Sequence, residues 1–223
     1  MKVAVLRFPG TNCEFDTQYA FETLGHTAVL VWHEDSRLPD DTDLVVVPGG
    51  FSYGDYLRSG SIARFSPIMK AVTAYAKSGG RVLGICNGFQ ILAEAGLLPG
   101  ALKRNNNLHF ISKFQHISVV NHENAFLNQC EKGEILNIPI AHADGNYYID
   151  DEGLKRLEAN GQILLRYCDS RGNPIALNGS VDSIAGICNT EKNVFGLMPH
   201  PERAIEMILG SSDGVRMLKG FDV

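Results

Sequence analysis

The sequence predicts an α/β fold, an open and mostly parallel sheet with helices on both faces, with additional antiparallel or mixed strands in the second half. Short apolar runs alternate with helical stretches and turns through the first hundred residues. One run, Asp43–Pro48, contains an unbroken Leu-Val-Val-Val, as in a strand buried on both faces. From about Leu108 the apolar runs follow one another with few helical intervals. Alternation of strands and helices favours parallel pairing, whereas the later pattern favours antiparallel or mixed pairing.

Four strands and three helices are predicted in the first hundred residues, separated by turn residues. Gly25 follows the first helix and Gly96 follows the third. Asn87 is predicted to cap the third helix at its N-terminus. The strands are Val3–Phe8, Thr27–Trp32, Asp43–Pro48 and Arg81–Ile85, and the first two helices are Glu14–Leu24 and Ile62–Ala76.

Five further strands are predicted in the second half. The last of them, Val194–Pro199, is expected to return to the first sheet. The chain shows no repeat, low-complexity run or clear linker, so residues 1–223 are predicted to form a single domain. The other four strands are Phe114–Val120, Glu134–His142, Gln162–Cys168 and Ser183–Asn189.

The composition argues against several classes of function. A formal net charge of −5 and a pI near 5.8 do not favour a nucleic-acid partner. No apolar run approaches the roughly 18 residues of a membrane-spanning helix, and the opening run breaks at Arg7 and Pro9, too early for a secretory signal. The five cysteines form no Cys-x-x-Cys pair. We therefore expect neither disulfides nor a zinc site, and a cytoplasmic location.

Cys86 lies at a predicted strand-to-helix turn, with Gly84 and Gly88 two residues away on either side. In G-x-S-x-G turns, such glycines make room in a crowded backbone, and the nucleophile projects above the carboxyl edge of the sheet. The helix N-terminus stabilises a thiolate, and the N–H of Asn87 points to where an oxyanion would form. The motif predicts a nucleophile, with a buried cysteine beside packing glycines as the alternative.

His200 is the candidate base. Pro201 keeps it extended, so His200 and Glu202 lie on the same side of the chain with Cα atoms about 6–7 Å apart. The carboxylate can hold one imidazole nitrogen and leave the other to face a thiol, as in a catalytic triad. A solvated loop is the alternative. We expect that alternative for the other six histidines, His26, His33, His109, His116, His122 and His142.

A second glycine-rich stretch, the thirteen residues Pro48–Gly60, follows the buried strand. Gly49 and Gly50 let the backbone turn sharply at the edge where open α/β sheets bind ligands. The N–H of Gly50 is the candidate to complete an oxyanion hole with Asn87. An ordinary strand-to-helix connection is the alternative, although the stretch is long for one.

Three motifs in order, VVVPGG, GICNG and HPE, resemble the triad-type (class I) glutamine amidotransferases, whose fold is flavodoxin-like. Nucleophile, base and orienting carboxylate then correspond to Cys86, His200 and Glu202, and the oxyanion loop to Gly49–Phe51. FSYGDYLR and HADGN are more specific: with FPGTNCEFD, DSIAG and GLMPHPERA, they resemble the glutaminase subunits of phosphoribosylformylglycinamidine synthase. The candidate contacts for glutamine are Gly49, Phe51, Asp55, Arg58 and Gln90.

The resemblance implies hydrolysis of L-glutamine to glutamate and ammonia through a γ-glutamyl thioester on Cys86. Ammonia would pass to a large synthetase subunit, which uses ATP, with Mg expected there, to convert formylglycinamide ribonucleotide to formylglycinamidine ribonucleotide in purine synthesis. A small third subunit is expected in the assembly. This chain has no phosphate-binding glycine motif and no recognisable metal-ligand cluster, so we expect no cofactor or metal in it.

Two further expectations concern the partner. Free glutaminase activity is expected to be low until the synthetase subunit orders the glycine-rich loop. The tract His142–Tyr148 is a candidate for part of the docking surface, with a simple turn between strands as the alternative.

The residues alone also allow two other functions. A cysteine hydrolase or peptidase of similar fold would explain Cys86 and His200, but not the ordered match to YGDYLRSG and HADGN. Comparing hydrolysis of glutamine with that of peptides separates these two enzymes. An oxidation sensor would need a reactive Cys86 thiol without the His200–Glu202 pair.

Overall fold

In the computed structural model, which describes residues 1–222, strands and helices alternate at first and strands dominate later. The strands are β1 (Lys2–Arg7), β2 (Thr27–Trp32), β3 (Leu44–Val47), β4 (Arg81–Ile85), β5 (Ala101–Lys103), β6 (Ile111–Val119), β7 (Ile135–His142), β8 (Asn146–Tyr148), β9 (Ile163–Tyr167), β10 (Ile184–Cys188) and β11 (Val194–Leu197). The α-helices are α1 (Glu14–Thr23), α2 (Pro67–Lys77), α3 (Asn87–Glu94), α4 (Asp151–Ala159) and α5 (Gly214–Lys219).

Nine strands of the described chain form one sheet in the order β2-β1-β3-β4-β11-β10-β9-β6-β7. The four pairings from β2 through β1, β3 and β4 to β11 are parallel. The pairings from β11 through β10, β9 and β6 to β7 are antiparallel. The predicted fold class is therefore confirmed, and so is the return of the last apolar run to the first sheet, where β11 pairs with β4.

The strand order fixes where a ligand can bind. The chain runs from β1 through α1 to β2 on one side, and from β3 through α2 to β4 on the other. Right-handed crossovers then put α1 and α2 on opposite faces, and the order reverses between β1 and β3. The loops that follow these two strands meet in a bridge between Thr11 and Gly50. Open α/β sheets bind ligands at the carboxyl edge of such a reversal.

Strand β3, whose carboxyl end contributes to the ligand-binding edge, lies at the buried centre of the parallel part of the sheet. All four residues of β3 are completely buried, as the valine run predicted. Burying one such side chain contributes about 1.5–3 kcal/mol. The glycine-rich loop therefore leaves the sheet from a strand that is fully buried.

Two helix boundaries differ from the predictions. The helix predicted to start at Ile62 begins at Pro67, because Ala63–Phe65 forms a 3₁₀ turn and Ser66 is extended, with φ −59° and ψ 144°. Proline disfavours helical backbone at the residue before it, which explains this start. The residue that precedes α3 is Cys86 and not Asn87, so the predicted cap was one position too late.

Helix α4 was not predicted. Its sequence, DEGLKRLEA, has only two leucines and therefore a weak apolar period. The sequence nevertheless contains a signal for the start of this helix, because Asp150 is its N-cap. The Asp150 carboxylate accepts a hydrogen bond from Gly153 N at 2.7 Å. Within residues 1–222, none of the helices is long and apolar enough to cross a bilayer.

Candidate active site

Cys86 occupies a strained turn between β4 and α3, with φ +51° and ψ −106°. Positive φ at a non-glycine residue costs about 1–3 kcal/mol and persists only where the surroundings enforce it. Neither glycine on either side of Cys86 has room for a side chain. A methyl group on Gly88 would lie 1.8 Å from the Val47 carbonyl oxygen, and a methyl group on Gly84 would lie 2.8 Å from the Gly88 carbonyl oxygen. The Cys86 thiol is 6% exposed and donates to the Ala141 carbonyl at 3.6 Å.

His200 and Glu202 form a buried pair just after β11. Nδ1 of His200 and Oε1 of Glu202 are 2.6 Å apart, and each residue is 2% exposed, so the solvated-loop alternative does not hold for them. Burial lowers the pKa of His200, but the charge of Glu202 and the neighbouring Cys86 and Cys13 thiols outweigh it and hold that pKa well above its usual range. The pair can therefore hold a protonated imidazole beside the Cys86 turn.

Gly49 lies next to His200, Cys13 and Cys86. A methyl group on Gly49 would lie 2.8 Å from His200 Cε1, 3.1 Å from Cys13 Sγ and 3.4 Å from Cys86 Cβ. The imidazole and the nucleophile turn thus share one wall of the site. Nε2 of His200 has no well-directed hydrogen-bond partner among residues 1–222, although the Cys86 thiol is close enough to raise the pKa of the ring.

The loop after β3 is held against the loop after β1 by its backbone. The Gly49 carbonyl accepts from Cys13 N at 3.3 Å, and Phe51 N donates to the Gly10 carbonyl at 3.0 Å. Gly50, with φ +135°, has no room for a side chain because a methyl group there would lie 2.6 Å from Asn12 N. Its own N–H makes no hydrogen bond within the described chain, so it can serve a ligand.

Asn87 fixes this loop through its side chain, a role that its backbone position alone did not predict. Its Oδ1 accepts from Ser52 N at 3.1 Å, and its Nδ2 donates to Gln90 Oε1 at 2.8 Å. Gln90 in turn donates to the Asp144 carbonyl at 2.7 Å. The buried Gln90 amide is therefore engaged at both ends, in support of the loop. The backbone N–H of Asn87, in the first turn of α3, has no acceptor within its helix.

Of the other predicted substrate contacts, Phe51 and Asp55 lie at the site, whereas Arg58 does not. Phe51 is 44% exposed at the rim of the site. Asp55 lies within the site's loop, 3.5 Å from Asn87 Nδ2, and burial raises the pKa of its carboxyl to about 6. Arg58 is directed away from the site: its guanidinium binds both Glu94 oxygens, at 2.5 and 2.7 Å, and its side chain is 61% exposed. The structure does not support a glutamine contact by Arg58.

Cys13 is the main site neighbour that sequence reasoning missed. It lies just before α1, 2% exposed, and its Sγ accepts from Arg203 Nη2 at 3.2 Å. Burial raises the pKa of this thiol, and His200 and Arg203 only partly offset that effect. Nothing in the local sequence marks the contact, because Cys13 and His200 are brought together only by the sheet edge.

His33 and His142 were wrongly expected to be solvated. His33 is 8% exposed, and its Nδ1 lies 2.9 Å from the Tyr53 hydroxyl. His142 is 3% exposed, its Nδ1 lies 3.2 Å from Asn105 Oδ1, and burial followed by the charge of His200 lowers its pKa to about 4. Tyr147 is buried as well. Of the tract considered for docking, only Tyr148 is exposed, and Asp144 instead accepts a hydrogen bond from Ser59 Oγ at 2.8 Å. The tract mainly supports the glycine-rich loop.

Comparisons with known proteins converge on one family. Residues 1–214 match the CobB/CobQ-like glutamine amidotransferase domain. Two relatives called phosphoribosylformylglycinamidine synthase subunit PurQ, from Sulfurimonas denitrificans and Wolinella succinogenes, are each 67% identical to this chain over 221 residues, covering 99% of both chains. A solved chain from the structure of PurLQS of Thermotoga maritima is 42% identical and superposes with a TM-score of 0.88, covering 99% of this chain and 96% of that one.

Proposed function

The chain belongs to the PurQ family of phosphoribosylformylglycinamidine synthase subunits, within the CobB/CobQ-like glutamine amidotransferases, and on this basis we propose a catalytic mechanism for it. Such a subunit is a glutaminase of purine biosynthesis. The observation that carries the mechanism is the buried His200–Glu202 pair beside the strained turn of Cys86. We assign to these three residues the hydrolysis of L-glutamine to glutamate and ammonia.

In the first half-reaction, the Cys86 thiolate attacks the side-chain amide carbon of glutamine. The N–H groups of Gly50 and Asn87 hold the developing oxyanion, and removing one such donor typically costs about 2.7–4 kcal/mol of transition-state stabilisation. The C–N bond then breaks as the His200 imidazolium gives its proton to the departing nitrogen. Ammonia leaves, and a γ-glutamyl thioester remains on Cys86.

In the second half-reaction, the now neutral His200 takes a proton from water, and the resulting hydroxide attacks the thioester carbon. The C–S bond breaks and glutamate leaves, which restores the Cys86 thiolate beside the His200 imidazolium, the state in which the cycle began. Glu202 holds the ring by Nδ1 throughout, which keeps Nε2 directed at the reacting groups.

The assembly is proposed by analogy with the solved relative, which belongs to a PurLQS complex. We assign ammonia transfer to a PurL-type synthetase subunit that carries the ATP and Mg, with a small PurS-type third subunit. A cytoplasmic location is proposed in agreement with the five free, buried thiols. A single domain over residues 1–223 is proposed because one sheet joins both halves of the described chain.

The synthetase subunit is proposed to dock on the apolar rim of the glycine-rich loop, formed by Phe51, Tyr56, Leu57 and Phe110. Tyr56 is 75% and Leu57 89% exposed beside the site, and the rings of Phe51 and Phe110 lie 6.5 Å apart. Covering these side chains would order the loop that supplies Gly50, so we expect the free subunit to have low glutaminase activity.

Stimulation of glutamine hydrolysis by added synthetase subunits tests this docking face. Leu57→Asp should abolish the stimulation and leave the basal rate of the free subunit measurable. Ile208→Asp is the matched control, because Ile208 is 91% exposed on a different apolar turn, Met207–Leu209. Loss of stimulation by Ile208→Asp alone would move the docking face to that turn.

The mechanism itself is tested by incubation with a diazoketone analogue of glutamine, followed by mass spectrometry of the peptides. We expect one adduct, on Cys86, with Cys13, Cys130, Cys168 and Cys188 unmodified. Cys86→Ser should give no adduct, and His200→Ala should lose glutamine turnover. An adduct on another cysteine, or full glutamine turnover by His200→Ala, contradicts the assignment. An oxidation sensor would instead show no glutamine turnover and would keep the reactivity of its Cys86 thiol with oxidant in His200→Ala.

A further inference from the structure

We propose that Cys13, His200 and Glu202 form a binding site for Zn²⁺, and that Zn²⁺ bound there inhibits the glutaminase. The Cys13 thiol, one ring nitrogen of His200 and one carboxylate oxygen of Glu202 all lie within 4.8 Å of one another, and the three residues are buried. Sequence spacing could not indicate this site, since Cys13 precedes α1 and the other two residues follow β11.

The three donors match the coordination chemistry of zinc. Zn²⁺ binds cysteine sulfur at about 2.3 Å, histidine nitrogen at about 2.0–2.1 Å and carboxylate oxygen at about 2.0–2.2 Å, usually in a tetrahedron. Donor atoms around such an ion are about 3.3–3.6 Å apart, so a site whose donors lie within 4.8 Å closes with movements of about 1 Å or less. A water molecule would complete the tetrahedron.

An unpaired polar atom provides a second, independent indication. Glu202 Oε2 is buried and has no hydrogen-bond partner within residues 1–222. A buried carboxylate oxygen without a partner is unfavourable. A Zn²⁺ ion would satisfy it, because the ion accepts the lone pair of the oxygen.

One neighbour opposes the cation. Arg203 Nη2 lies 3.2 Å from Cys13 Sγ, and its positive charge repels a metal ion. The guanidinium is also paired with Asp16, through Nε at 2.9 Å, which partly neutralises it and offers it a place away from the thiol. Zn²⁺ would displace the thiol proton of Cys13 and the proton on the ligating ring nitrogen of His200, both of which leave to solvent, and would take over the sulfur from Arg203.

Occupation of this site would stop the reaction without blocking Cys86. The catalytic role of His200 requires a ring that is free to accept and donate a proton. An imidazole bound to Zn²⁺ is held as a ligand and cannot shuttle that proton. The inhibition therefore falls on the proton-transfer steps, while the nucleophile stays outside the coordination sphere.

Co²⁺ titration of the intact chain tests the proposal, because Co²⁺ in a Zn²⁺ site with a thiolate ligand gives a sulfur-to-metal absorption band in the near ultraviolet. We expect the band in the unchanged chain and in Cys86→Ser. Cys13→Ser and Cys13→Ala should lose it and bind Zn²⁺ about tenfold or more weakly in competition with a chelator. Cys130→Ser, a change at a buried cysteine outside this cluster, should have no effect.

The reverse pattern would overturn the proposal: a band lost in Cys86→Ser and kept in both Cys13 variants would put the metal on the nucleophile. Absence of the band from the unchanged chain would overturn it as well. Circular dichroism establishes that each variant is folded. The readout involves no glutamine, so it is independent of whether the proposed hydrolysis is correct.

Discussion

Replacing Gly49 by alanine would test whether the imidazole of His200 is held where Cys86 requires it. Gly49 is not among the glycines with positive φ, so alanine can adopt its backbone without strain and the effect is steric. The added methyl group would lie 2.8 Å from His200 Cε1 and 3.1 Å from Cys13 Sγ. Carbon atoms pack best about 3.5–4.0 Å apart, so the ring must move by roughly 0.7 Å or more.

The expected loss follows from that displacement. A shift of about 1 Å at a reacting group can lower the rate about 100-fold. We therefore expect kcat/KM for glutamine to fall by about 10- to 100-fold, or about 1.4–2.7 kcal/mol of transition-state stabilisation. The added methyl should also lower the free energy of unfolding by about 1–3 kcal/mol. Ammonia release in the presence of the synthetase subunits measures the first quantity, and urea unfolding measures the second.

Gly186→Ala is the matched control. Its methyl group would lie 3.0 Å from Leu197 Cβ and 3.1 Å from the Gly196 carbonyl oxygen, and no site residue is among its three nearest contacts. This variant should lose a similar free energy of unfolding and keep its kcat/KM. The reasoning is refuted if Gly49→Ala stays within about twofold of the unchanged chain, or if both variants lose activity equally.

Glu202→Gln removes the charge 2.6 Å from His200 Nδ1 and should lower kcat by about 100-fold or more with little change in KM, measured by steady-state kinetics; a rise in KM alone would contradict the orienting role. Burial raises the pKa of Asp55 from 3.8 to about 6, so the folded state disfavours the charged carboxylate. The resulting loss of folding free energy is absent below about pH 4, grows between pH 4 and 6 and is complete above pH 6. Asp55→Asn should thus increase the free energy of unfolding at pH 7.5 by about 1–2 kcal/mol, after allowance for partial exposure, and leave it unchanged at pH 4; equal effects at both pH values would refute this. Phe221 is buried, with ring centroids 5.4 Å from Phe126 and 5.7 Å from Phe195, so Phe221→Ala should destabilise the chain by about 3–5 kcal/mol in urea unfolding while activity per folded molecule is retained.

Local patterns predicted much of the architecture. The valine run of β3 and the alternation of strands with helices indicated a parallel sheet, because burial on both faces leaves no polar positions in such a strand. The two glycines around Cys86 indicated a turn with no room for side chains, which the approach of Val47 explains. Helix α4 was missed because its two leucines make a weak period, although Asp150 marked its start.

The turn that carries Cys86 and the pairing of His200 with Glu202 could be predicted from local sequence, since each depends on residues at most two positions apart whose backbone is set by glycine or proline. The surroundings of these residues depend on the fold. Cys13 contacts the site, Arg58 turns to Glu94 and His142 is buried only because the strand order brings distant loops to one edge. Those contacts arise from competition among side chains in three dimensions, for which one-dimensional spacing contains no information.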